Sequence, residues 1–280
     1  MTHTLATDLF REIVSRPSEQ IDLAQAALLI ALDEYPALSI SSYLEHLDLL
    51  AAEVAKGLPF CVAERPMEAV EALNRQLFEV EGFKGNQEEY YEPRNSFLND
   101  VIDRRTGIPI TLSLLYMEVS RRIGLKVDGV GMPGHFIVKC RHAGLEIFID
   151  PFERGEILLE EGCRRKLIQL HGEKFQFDPS YLNAVDHRQI LNRMLLNLKG
   201  IYWSRQNYAK ALGVIEKRLL ISPGAATEIR DRGFAHYRLN RFSSAIADWS
   251  RYLQLRPHAS DASEVTRNLK IASQALAFRN

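Results

Sequence analysis

The last third of the chain repeats with a step of 34 residues. Comparing "RQNYAKALGVIEKRLLISP" with "RLNRFSSAIADWSRYLQLRP", Ala211 recurs as Ala245 and Pro223 as Pro257. A step of that length holds one helix–turn–helix unit. Leu195, Leu198, Tyr202, Ala211, Ile215 and Pro223 take the packing positions of a first unit. Ile229, Gly233, Ala245, Trp249 and Pro257 take those of a second. Residues 259–276 then predict a capping helix. A single unit cannot bury its apolar face alone, and about three are needed to share a continuous core. Two are few, so this array is expected to lean on the part of the chain before it.

Upstream the pattern is helical but not repetitive. "IDLAQAALLIALDEYP" carries apolar residues at near-helical spacing and stops at Pro36. "SISSYLEHLDLLAAEVAKG" opens on serines suited to capping, keeps Tyr43, Leu44, Leu47, Leu50, Ala51 and Val54 on one face, and ends at Gly57. "RPMEAVEALNRQLFEVEGF" predicts a helix from Pro66 to about Glu81. Residues 85–93 are polar and turn-rich. A short helix is predicted from Ser96 to Arg104, a turn at 105–107, and a helix from Pro109 to Ile123 closed by Gly124. Proline suits the first helical turn, where its missing N–H would have had no partner.

The pattern then changes to period two. "LKVDGVGM", "HFIVKCRH" and "LEIFIDPF" predict three antiparallel strands, with a turn at His142-Ala143-Gly144. After Ile157 the chain returns to helix and loop. The fold class is α+β with a small antiparallel sheet, followed by an all-α repeat region. The expected divisions are 1–84, 85–183 and 184–280.

Composition narrows the function classes. Of 280 residues, 46% are hydrophobic and 25% charged, the mix of a globular protein, and the formal net charge is -1. That balance gives no global attraction to nucleic acid or to anionic lipid. Cys61, Cys140 and Cys163 are an odd, sparse set with no disulfide framework and no zinc spacing. The N-terminus lacks the apolar core of a secretory signal, and the run Ala26–Leu32 is too short to span a bilayer. These observations predict a cytoplasmic protein with no metal, cofactor, membrane or nucleic-acid partner.

The residue that raises a chemical question is His135, in "GVGMPGHFIVKC". It opens an otherwise apolar strand, and the next strand ends in Asp150. A carboxylate that orients an imidazole is half of a nucleophilic triad. The competing reading is a core histidine beside an Asp-Pro turn.

The order of these elements resembles the transglutaminase-like (papain-related) superfamily: G-x-Cys, a helix ending in R-x-x-G, a strand opening with His and a strand ending in Asp. Arg121-Arg122-Ile123-Gly124, His135 and Asp150 match the last three. Gly107-Ile108-Pro109 stands in the place of G-x-Cys, so the position of the superfamily nucleophile falls on Pro109. "NSFLNDVIDRRTGIPITLSLLY" and "GVGMPGHFIVKC" are similar to the bacterial SirB-type family, which joins a transglutaminase-like domain to tetratricopeptide repeats. The resemblance covers roughly residues 20–260.

Proline has no group with which to attack. Thr111 and Ser113, early in the same helix, are the candidate replacement nucleophiles, each competing with a purely structural hydroxyl. Cys140 lies five residues beyond His135 and in a regular strand faces the other way. Asn95 and Asn99, four apart before Gly107, are candidates to line the cleft with Pro109, or else to cap and fasten loops. The expected function is therefore recognition: a degenerate cleft and a repeat surface that bind a protein or peptide partner. The rival is an amide hydrolase or acyltransferase that uses His135 and Asp150 with a hydroxyl or a water.

Overall fold

A computed structural model describes residues 2–278. Its first helices, α1 (Thr2–Ser15), α2 (Leu23–Ala31), α3 (Ile40–Lys56) and α4 (Pro66–Asn74), form a helical layer. Asp22 caps α2, its side chain accepting from the Gln25 N–H at 2.9 Å. The alanines, leucines and isoleucine of α2 are buried all round the helix, which places it inside the layer. The helix expected to run to about Glu81 changes register at Arg75. From there to Val80 it is a π-helical turn, in which the Glu81 N–H reaches back to the Gln76 carbonyl at 2.9 Å. Gly82, at φ 75°, ends it.

The chain then makes β1 (Lys84–Gly85), α5 (Leu98–Arg104), β2 (Thr106–Gly107) and α6 (Pro109–Arg122). β1 and β2 are a short parallel pair. Every residue of α6 from Pro109 to Ser120 is buried. It is the central helix of this region, with the helical layer and the sheet both in contact with it.

The sheet follows: β3 (Asp128–Val130), β4 (Ile137–His142), β5 (Leu145–Asp150) and β6 (Glu156–Leu158), then α7 (Glu160–His171) and β7 (Ala184–Val185). It has five antiparallel strands in the order β6-β5-β4-β3-β7. The hairpin β4–β5 closes at His142↔Leu145 through Ala143 and Gly144, both at positive φ. That is the two-residue turn whose twist matches its strands. The outer strands β6 and β7 add to the three predicted; with three and two residues, they are too short to show a period of two. Val130, Met132, Ile137, Phe148, Cys163 and Leu167 bury the sheet against α7.

Contacts divide the described chain between Met194 and Leu195, within α8 (His187–Ser204). The second unit continues with α9 (Tyr208–Ile221), α10 (Ala226–Arg238), α11 (Phe242–Leu255) and α12 (Ala262–Ala277). The starts of α9 and α11 keep the predicted step. Ile215, Ile229, Ala245, Trp249, Val265 and Ala272 share one core. Gly233 allows α10 and α11 to touch, since a Cβ there would lie 2.7 Å from Trp249 Cδ1. α12 takes the place of the expected capping helix.

Candidate functional site: a buried imidazole–carboxylate pair on a cavity

Three elements meet at His135. The β3–β4 connection turns at Gly134, φ 70°, and the His135 N–H donates to the Met132 carbonyl at 3.2 Å. In the β4–β5 ladder Val138 faces Ile149. One further step sets Ile137 opposite Asp150, and His135, two residues before Ile137, projects on the same side. The register therefore brings the pair together: His135 Nε2 and Asp150 Oδ2 are 2.7 Å apart.

Asp150 is fully buried and fully bonded. Its Oδ1 accepts the backbone N–H groups of Phe152 at 3.1 Å and Glu153 at 3.4 Å, capping the turn after Pro151. Its Oδ2 also accepts from Lys166 of α7 at 2.5 Å, and Lys166 reaches Glu156 at 2.9 Å. Burial pushes the Asp150 carboxyl up, but the His135 hydrogen bond and the Lys166 ammonium outweigh it and hold it below the usual carboxylate range. Burial pulls the Lys166 ammonium down, and its two carboxylate partners more than restore it. An ionised Asp150 only accepts, so imidazole Nε2 carries the hydrogen. Nδ1 has no partner within the protein among the described residues.

Beside the imidazole lies a cavity of about 1070 Å³. Its walls include Pro109, His135, Phe152, Tyr90, Tyr91 and Leu170. Phe152 stands edge-on to His135 at 6.0 Å, and Tyr90 edge-on to Phe152 at 6.4 Å. Tyr91 is 74% and Leu170 52% exposed, so apolar surface continues to the mouth. Pro109 enters the wall as the first residue of α6. Gly107 permits this tight approach, because a Cβ there would come within 2.9 Å of Thr111 Oγ1.

The other residues singled out in the sequence lie elsewhere. Thr111 is buried; its hydroxyl donates to the Asn95 carbonyl at 2.7 Å and accepts the Ile108 N–H at 3.1 Å. Ser113 is buried and donates to the Phe136 carbonyl at 3.3 Å. Neither hydroxyl lines the cavity. Asn95 belongs to the 3-10 turn Pro93–Ser96 rather than to α5. Its amide donates to the Glu89 carbonyl at 2.7 Å, and its Oδ1 accepts from Asn86 at 3.1 Å. Asn99 is buried in α5 with its Oδ1 unpaired. Both asparagines also stand outside the cavity wall.

Cys140 borders a separate cavity of about 520 Å³, as its odd offset from His135 predicts. Cys163 is buried beside Asp150; burial, with the nearby carboxylate, pushes its thiol up to about 12, so it stays protonated. No group of His, Cys, Asp and Glu among the described residues is placed to hold a metal ion.

Lys166, Phe152 and Tyr90 carry no local sequence signal. Lys166 occurs in the charged stretch "RRK", where nothing marks which cation turns inward.

Comparison with known proteins agrees with this architecture. The transglutaminase-like superfamily matches residues 41–196, and tetratricopeptide repeats match residues 198–270. A UPF0162 protein of Xylella fastidiosa (strain Temecula1) is 35% identical over 279 residues, 96% of each chain. A UPF0162 protein of Vibrio cholerae is 31% identical over 70% of this chain and 73% of its own. Mouse F-box only protein 21 is 34% identical over 48% of this chain and 22% of its own length. The chain therefore belongs to the transglutaminase-like superfamily and, within it, to the UPF0162 or SirB-like family, in which this core is joined to tetratricopeptide repeats.

Proposed function

We propose that the protein is a recognition module that holds an extended segment of a partner protein in the His135 cavity, with the repeat unit as a second protein-binding surface. The observation that carries this reading is the wall itself: Pro109 stands beside His135, and no serine, threonine or cysteine lines the cavity among the described residues. An imidazole without a nucleophile still offers a hydrogen-bonding nitrogen on an aromatic surface. The volume slightly exceeds the range for small-molecule sites, and the exposed mouth suits a chain that enters and leaves. Tetratricopeptide repeats bind protein segments in their superhelical faces, which supports the second surface. The unlinked thiols of Cys61, Cys140 and Cys163 favour the cytoplasm as its compartment.

The test is selection of peptides from a random display library against the full chain, followed by calorimetric titration. Tyr91→Ala and Leu170→Asp lie at the exposed mouth and leave the core intact. Each is expected to weaken the selected peptides about tenfold or more, the loss of one apolar anchor. Unchanged affinity in both variants overturns the cleft reading. The rival reading draws on the intact His135–Asp150 bond, which can orient an imidazole toward a water. Mass spectrometry of the bound peptides decides it: cleavage that His135→Ala abolishes establishes the hydrolase.

A further inference from the structure

Most buried or half-buried cations of the first unit meet a carboxylate. Arg122 pairs with Asp48 and Glu118, Arg105 with Glu81, and Lys166 with Asp150 and Glu156. Arg193 does not. Its NH2 donates to the His135 carbonyl at 3.0 Å, and its guanidinium lies over the Phe136 ring at 5.9 Å. No Asp or Glu pairs with it among the described residues. A guanidinium has five donors, so one carbonyl leaves most of them unused. Burial lowers the Arg193 pKa, opposed only by Tyr90, so the charge is desolvated without a neutralising partner. An unpaired, partly buried cation is costly, and the cost is relieved when an anion arrives.

Tyr90 supplies the second observation. It lines the His135 cavity and lies within electrostatic reach of Arg193. Its hydroxyl makes no hydrogen bond within the protein among the described residues. A free phenol donor and a planar fork of N–H groups suit an oxyanion; a carboxylate fits a guanidinium through two parallel bonds.

We propose that Arg193 and Tyr90 form a carboxylate-binding subsite at the edge of the His135 cavity, so that the segment it holds carries a carboxylate, at its C-terminus or on an acidic side chain. This deepens the recognition reading and rests on it. Arg193 does not itself line the cavity; it meets the wall at the His135 carbonyl, and Tyr90 in the wall is the group that links it to the cavity. The competing explanation is that Arg193 only clamps the His135–Phe136 backbone.

The experiment follows the Arg193 Nε–Hε signal by NMR in the full chain, with affinities measured by calorimetry. The probes are acetate, N-acetyl-Leu-Ala-Tyr, its C-terminal amide, and the amide of N-acetyl-Leu-Glu-Tyr. The expected result is that acetate shifts the Arg193 signal and that a carboxylate peptide binds at least tenfold more tightly than the neutral amide. A preference for the first peptide identifies a chain terminus, and one for the glutamate peptide an acidic side chain. Arg193→Gln keeps a donor for the His135 carbonyl but drops the charge, and is expected to erase the preference; Arg193→Lys is expected to keep part of it. Acid and amide binding equally tightly to the wild type overturns the subsite and leaves the recognition reading standing. An acetate shift at Arg193 without binding of any peptide upholds the anion site and counts against the recognition reading. An Arg193 signal unmoved by acetate and by every carboxylate peptide overturns the subsite without recourse to any variant.

Discussion

Two buried charge clusters, one in each unit, use the same elements to different ends. In the repeat unit Glu228 of α10 accepts from Lys199 of α8 at 2.8 Å and from Arg218 of α9 at 2.9 Å, and Lys199 also reaches Asp231 at 2.6 Å. The charges there tie α8 and α9 to α10. In the first unit Asp150 accepts from His135 and Lys166, but the imidazole also lines a cavity and keeps Nδ1 unpaired. One cluster is a closed fastening. The other leaves a hydrogen-bonding group at a surface where a ligand can reach it. Buried charges alone therefore do not mark a functional site; what distinguishes them is whether a member faces open volume.

The largest effect separating the two comes from removing each central acid. Glu228→Ala removes the buried carboxylate that Lys199 and Arg218 share, leaving Lys199 with Asp231, and is expected to destabilise the repeat unit by about 3–5 kcal/mol. Urea unfolding followed by Trp203 and Trp249 fluorescence measures it. A loss below about 1 kcal/mol shows that water already screens the cluster. Asp150→Asn keeps the shape and one acceptor, so its expected cost is smaller, about 2–3 kcal/mol, near the cost of breaking a hydrogen bond to a charged group. It also frees His135 to rotate. Equal costs for the two substitutions erase the distinction between fastening and site.

The acid dependence of stability sharpens the same contrast. The native Asp150 carboxyl is held below its ordinary range by His135 and Lys166, against the upward push of burial. The unfolded chain therefore binds the proton more readily than the native one. This contribution is complete above the ordinary carboxylate value of about 4 and is lost as pH falls through the lowered native one. For Lys166, whose native pKa is raised, the sign reverses: stability is complete below its ordinary value of about 10.4 and lost as pH rises through the native one. Asp150→Asn is expected to flatten the acid limb of the wild-type stability profile between about pH 5 and 2. An unaltered limb places the acid-sensitive groups elsewhere.

How much of this was legible in the sequence depended on the range over which each signal acts. The repeat was visible because packing positions recur at a fixed step: Ala211 and Ala245 are buried at equivalent positions, and in the second unit Gly233 lies against Trp249. Gly233→Ala tests that contact. The added methyl has nowhere to go and is expected to cost about 1–3 kcal/mol, the usual result of overpacking a fixed site. The sheet centre was visible through its alternation and its Ala143-Gly144 turn. The outer strands were not, because two or three residues cannot display a period. The π turn at Arg75–Val80 was hidden for another reason: its composition is that of an ordinary amphipathic helix, and only the hydrogen-bond register differs. At the site, His135 and Asp150 stood out because each punctuates a strand. Lys166 did not, since its role depends on how α7 lies against the sheet. Asn95 and Asn99 had the right spacing but the wrong local geometry, as a 3-10 turn separates Asn95 from the helix that holds Asn99.

Ser113→Ala carries the smallest expected effect and the most direct bearing on chemistry. The hydroxyl is buried and donates to the Phe136 carbonyl at 3.3 Å, a long bond in a dry place. Its removal leaves that carbonyl one donor short and is expected to cost about 1 kcal/mol in urea unfolding. Binding of library-selected peptides should stay within about twofold of wild type, because Ser113 does not line the cavity. If instead the variant keeps its stability but loses a peptide-cleaving activity that His135→Ala also abolishes, Ser113 has moved into reach of the imidazole. The recognition reading then gives way to acyl chemistry on a hydroxyl. That outcome needs the first turn of α6 to rotate, against the Thr111 bonds to Asn95 and Ile108 that hold it in place.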